Sequence, residues 1–197
     1  MKKFRINFIT TLTLVAALFL SGFTPGFCQA KYHANKLDVT VSGTSTLHDW
    51  DMKSDKGQFD AAITVANEKV VVGNLSFNLP AESLKSGHGM MDKNTYKALK
   101  TDKNPSISFV LASGNVTAQG GNNYLLKGTG KLTIAGTTLL TDLIVTMKYN
   151  PVDKSFYCSG TKSFKMSEYG VKPPTVMMGT IKTGDAISIA YNLTIKS

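Results

Sequence analysis

The side chains able to do chemistry fall in a few places along the chain. His48-Asp49-Trp50-Asp51 sets an imidazole beside two carboxylates, the material of a general base or of half a metal site. Adjacent residues on a strand point to opposite faces, so His48 and Asp49 do not readily converge. His33 and His88 are the only other histidines, far away in sequence, and no HxH or HxxxH pair occurs. This cluster therefore reads as hydrogen bonding at a turn or rim, with Trp50 as a plug or ligand wall. His88-Gly89-Met90-Met91 and Met177-Met178 combine imidazole with thioethers, which suit Cu(I). Methionine is equally an adaptable liner of apolar space, and that is the expectation here. A metal protein or enzyme built on His48 or His88 is the alternative. Ser45 and Ser86 lack a G-x-S-x-G setting, and neither a Ser/His/Asp set nor a phosphate loop can be read. No enzyme, cofactor or metal is expected.

The elements that position these residues are strands. Leu37, Val39 and Val41 alternate with polar neighbours, as do Phe59, Ala61, Ile63 and Val65 after Lys56-Gly57. Val71, Leu75, Phe77 and Leu79 share a face, and so do Ile107, Phe109 and Leu111. Later runs include Leu132 and Ile134, Leu143 to Tyr149 in steps of two, Phe156 and Cys158, Phe164 and Met166, and Ile187 to Ile195 in steps of two. Period-two patterning of this kind marks strands with one buried face. Turn chemistry at Gly120-Gly121-Asn122-Asn123, Ala135-Gly136, Asn150-Pro151 and Thr183-Gly184-Asp185 separates them. About eight such strands must close on themselves or find a second sheet.

One segment departs from alternation. Met91 to Lys100 reads as a short helix, capped by Asp92, that lays Met91, Thr95, Ala98 and Leu99 across the barrel as a lid. Ser167 to Pro174 carries two adjacent prolines and reads as an ordered loop near an opening. Whether the interior is hollow or filled is not decided by alternation, since eight strands allow either. Large inward groups such as Phe77, Phe109 and Tyr191 alternate with the small Ala61, Gly73 and Gly160, which leave room if they cluster.

Lys2, Lys3 and Arg5, the apolar stretch Leu12 to Leu20, and Gly22 and Pro25 have the order of a cleaved export signal. A cut after Ala30 places residues 1–30 in the signal and starts the mature chain at Lys31, leaving 167 residues as one domain over residues 31–197. An uncleaved anchor is disfavoured by Asn7, Thr10, Thr11 and Thr13, and lipidation of Cys28 by the bulky Phe27 before it. Cleavage takes the 22 Lys+Arg to 19 against 13 Asp+Glu, a net +6 with no arginine left. Nucleic-acid readers lean on arginine, so no nucleic-acid partner is expected and the charge points to solubility and transient contact with an anionic membrane surface. Cys158, then alone, reads as a small buried hydrophobe.

Several stretches in matching order resemble the YceI-like family of bacterial periplasmic, lipocalin-like proteins: Val41 to Trp50, Asn104 to Phe109, Gly128 to Gly136, Tyr169 to Pro174 and Gly179 to Asp185. The resemblance implies an all-β fold, a closed eight-stranded antiparallel barrel with one or two short helices around a long apolar tunnel. It also implies non-enzymatic binding, sequestration or transport, in the periplasm, of an isoprenoid, quinone or fatty-acid-like lipid. The tail-lining residues expected from alternation are Trp50, Phe77, Phe109, Leu132, Ile134, Val145, Phe164, Met166 and Ile189, with the polar head near the helix and the Pro173-Pro174 loop. A solid-core barrel acting through its surface, as an interaction or stress protein, is the other alternative. Oligomeric state is left open.

Overall fold

The computed structural model describes residues 29–66 and 68–197. The signal segment read over residues 1–30 lies, up to Cys28, outside the described residues. Strands are β1 (Ala30–Ser45), β2 (Trp50–Ser54), β3 (Gln58–Ala66), β4 (Lys69–Pro80), β5 (Ser106–Gly120), β6 (Asn123–Ile134), β7 (Thr137–Asn150), β8 (Ser155–Lys165), β9 (Thr175–Val176) and β10 (Ile181–Lys196). Every pairing is antiparallel, and β10 returns to β1 from His33↔Lys196 to Ser45↔Thr183, closing the sheet. β3 bonds to the start of β1 and β2 to its later half, so the two share one of eight positions around the barrel. β9 adds only Ile181↔Val176 and Lys182↔Thr175 to the edge of β10. The expected barrel is therefore the observed one.

Alternation sets which side chains enter. Leu143, Val145, Met147 and Tyr149 turn inward on β7, while Leu140 and Ile144 stand exposed outside. In β4 the phase slips. Asp60 faces Ser76 but Ala62 faces Gly73, a bulge at which Asn74 adopts φ 43°. Leu75, Phe77 and Leu79 point inward as expected, but beyond the bulge Val70 and Val72 do so and Val71 is outside.

Hydrogen bonding between strands is partial along two seams. β4 meets β5 only from Ser76↔Val110 to Pro80↔Ser106, and β7 meets β8 only from Thr146↔Ser159 to Asn150↔Ser155. One end of the barrel is packed solid: Phe156 is fully buried, with Tyr32 edge-on at 5.5 Å and Tyr149 at 4.8 Å between ring centroids. The other end carries the helix, α1 (Gly89–Leu99), with no buried residue.

α1 begins two residues earlier than expected, with His88 rather than Asp92 at its N-cap. Asp92 sits in the first turn, where its carboxylate accepts from Ser86 N at 2.9 Å and Ser86 Oγ at 2.7 Å. Those hydrogen bonds hold it below the ordinary carboxylate range. Tyr96 ties the outer side of α1 to the preceding segment: its Oη lies 2.9 Å from the carbonyls of Glu82 and Leu84 and accepts from Lys85 Nζ at 2.6 Å. Met91, Thr95, Ala98 and Leu99 are left facing the barrel mouth, as their spacing predicts.

Candidate functional site: two adjoining apolar cavities

Two cavities lie inside the barrel. An inner one of about 140 Å³ runs among Phe77, Phe109, Leu132, Val145 and Met147. An outer one of about 500 Å³ lies under α1 and the Pro173-Pro174 loop, bounded by Trp50, Ile134, Met166, Tyr169, Val171 and Pro174. Val41, Ile107, Phe164 and Ile189 line both, so they meet at a common neck. Every tail-lining residue expected from alternation borders one cavity or the other. The Ser167 to Pro174 loop, too, lies at an opening.

Local sequence explains the shape of the walls. Trp50 pairs with Gly43 across β1–β2, and a Cβ at Gly43 would lie 2.3 Å from the indole. Its Nε1 donates to Thr44 O at 2.9 Å, which fixes the ring as wall of the outer cavity. Gly130 similarly makes room for the Phe109 ring, which its Cβ would meet at 2.3 Å. Gly160 is not empty space as the small-residue pattern suggested. Tyr191 lies over it, where a Cβ would be 2.2 Å from the hydroxyl, and donates to Ile144 O at 2.9 Å. Burial beside Cys158 pushes the Tyr191 phenol up to about 12. Ala61 and Gly73 also leave no room in the cavities: Ala61 is buried at the packed end opposite Tyr32, and Gly73 lies against Ala62 O and the Gln29 side chain.

The candidate chemical groups gather at the outer rim. His48 and His88 border the same cavity as Met90, Met91 and Met177. His48 Nδ1 donates to Asp49 O at 2.6 Å, the turn hydrogen bond expected of it. Among the described residues no three His, Cys, Asp or Glu side chains converge. His33 is elsewhere, 2.6 Å from Asp60 Oδ1. Cys158 is buried, and desolvation raises its thiol to about 12, so it packs as a hydrophobe and is not poised as a thiolate. The sequence reading missed Lys162, which is in phase with Phe156, Cys158, Gly160 and Phe164 on the inward face of β8 and borders the inner cavity. That phase was the available signal.

A closed antiparallel barrel with an apolar interior reached from one end defines a lipocalin-like binding fold. The chain belongs to the YceI-like family, whose domain model matches residues 29–195. No curated protein sequence matches it. Among solved structures it is similar to BcnA of Burkholderia cenocepacia, at 20% identity and TM-score 0.62 over 80% of this chain and 95% of that one. A polyisoprenoid binding domain from Saccharophagus degradans is similar at 12% identity and TM-score 0.59, over 86% of this chain and 99% of that one. The YceI protein of Campylobacter jejuni follows at 16% identity and TM-score 0.50, over 98% and 97%. At these identities the likeness is one of fold.

Proposed function

We propose that the protein binds an apolar amphiphile without catalysing a reaction, holding an isoprenoid-, quinone- or fatty-acid-like chain in the two adjoining cavities. The observation that carries this is the continuous apolar lining from the packed end to the mouth under α1. Together the cavities fall in the size range of small-molecule sites, about 300–1,000 Å³. The polyisoprenoid-binding neighbour supports the same reading. Leu47, Met90 and Met177, exposed at the rim, suit brief contact with a lipid surface during exchange. Export to the periplasm by residues 1–30 completes the proposal.

His48 and His88 among the thioethers at one rim favour a second reading, a soft-metal site. Mass spectrometry of protein purified from its native envelope tests all of this in one sample. The binding reading expects a stoichiometric lipid in the organic extract and a polypeptide mass starting at Lys31. Bound copper without lipid supports the second reading, and an empty extract with no metal supports a barrel acting through its surface.

A further inference from the structure

The barrel wall beside the inner cavity is not hydrogen-bonded along its whole length. Thr141 and Asp142 of β7 and Lys162 of β8 border this cavity from the two sides of the seam between those strands. β7 and β8 are bonded from Thr146↔Ser159 to Asn150↔Ser155 and nowhere beyond. Past that point β7 bonds only to β6, and β8 only to β10. The carbonyl of Ile144, left at this seam, is satisfied by the Tyr191 hydroxyl reaching across Gly160. Thr141, Asp142 and Lys162 thus meet the inner cavity at this seam through their apolar atoms, the cavity wall itself being wholly apolar.

Lys162 is the cation beside that seam. It is partly buried beside Phe164, pairs across the sheet with Ile189 at the neck, and takes part in no ion pair among the described residues. A lysine stem can lie along apolar surface while its ammonium stays at the polar edge. Resting on the amphiphile-binding reading, we infer that Lys162 holds the acidic head group, carboxylate or phosphate, of a ligand whose tail occupies the cavities. The head then leaves the barrel sideways between β7 and β8, not at the mouth under α1.

Displacement of an apolar fluorophore, N-phenyl-1-naphthylamine, from purified mature protein tests this with two acids and their neutral counterparts: palmitic acid against hexadecanol, and farnesyl monophosphate against farnesol. Lys162→Met keeps the stem and removes the charge. It is expected to weaken an acid about tenfold, the worth of one charge-assisted hydrogen bond, and to leave the alcohols unchanged. Loss confined to palmitate identifies a carboxylate ligand, and loss confined to the prenyl phosphate identifies a phosphate. Equal loss for acid and alcohol, no loss, or a loss produced instead by Lys182→Met at the wide mouth overturns the assignment while leaving the amphiphile reading intact. Failure of all four compounds to displace the fluorophore overturns both.

Discussion

The two ends of this barrel are built from the same alternating strands and reach opposite solutions. At the closed end Phe156, Ile195, Met147 and Ile63 are almost wholly buried, and the aromatic group of Tyr32, Tyr149 and Phe156 fills the cross-section. At the helix end the cross-section is left open and covered by α1, which buries no residue fully, packs Met91, Ala98 and Leu99 partly buried against the core, and is tied to the preceding segment by Ser86 and Tyr96. The choice between a solid core and a hollow tunnel is thus made locally. The closed end is close-packed throughout, whereas the cover, with no fully buried residue, is the part whose local opening costs least.

The sharpest contrast comes from removing bulk. Phe156→Ala empties the centre of the closed end and is expected to destabilise by roughly 3–5 kcal/mol, because close-packed neighbours relax only partly into the space. Chemical denaturation of the two proteins reads this directly. A loss below 1 kcal/mol would mean that this end is not the packed anchor.

Adding bulk sharpens the same comparison. Ala61 is 4% exposed opposite Tyr32, so Ala61→Phe overpacks the closed end and is expected to cost about 1–3 kcal/mol whether or not lipid is present. Ala98 faces the outer cavity from α1, so Ala98→Trp places its ring in empty space. There the expected change is no more than about 1 kcal/mol, towards a gain, because filling a void commonly stabilises. Lipid retained through purification should fall in Ala98→Trp and persist in whatever fraction of Ala61→Phe stays folded. The reverse pattern would exchange the roles assigned to the two ends.

Much of this was legible in the sequence because each strand carries its own periodicity. Leu143, Val145, Met147 and Tyr149 announce their inward face without reference to any partner, and so do Ile187 to Ile195 in steps of two. What was not legible depends on distant pairing. The slip at Asn74 that turns Val71 outward follows from the register of β3 against β4. Ala61 looked like cavity lining because its size was visible and its neighbour across the sheet, Tyr32, was not. Gly160 misled in the same way, its space being taken by Tyr191 from β10. Lys162 was legible in phase with Phe156, Cys158, Gly160 and Phe164 but drew no notice as a lysine, and what it borders is visible only once the strands are assembled around the inner cavity.

Acid should act on both ends by one mechanism, with the smallest effect of these tests. At the closed end Asp153 accepts from Ser155 Oγ at 2.7 Å and pairs with Lys196 Nζ at 2.9 Å, joining the β7–β8 turn to the end of β10. The Ser155 hydrogen bond, then Lys196, lower its carboxyl from 3.8 to about 2. At the open end Asp92 is lowered by Ser86, and Asp185 by Ser167, whose Oγ donates at 2.6 Å. A carboxyl depressed in the folded state binds its proton more readily in the unfolded chain. Its stabilisation is therefore complete above the unfolded value near 3.8 and is lost as pH falls towards the folded value, for Asp153 about 2. All three carboxylates face solvent, so screening keeps each contribution small. The midpoint of thermal unfolding should hold steady down to about pH 4 and then decline towards pH 2, as linkage requires. Asp153→Asn should flatten that decline, because the titrating group at the cooperative closed end is gone. Asp92→Asn should leave the unfolding profile nearly unchanged and instead speed lipid release at neutral pH, since it loosens the cover and not the anchor. A profile flattened by Asp92→Asn and untouched by Asp153→Asn would place the stability of this barrel at the helix end, against the packing seen around Phe156.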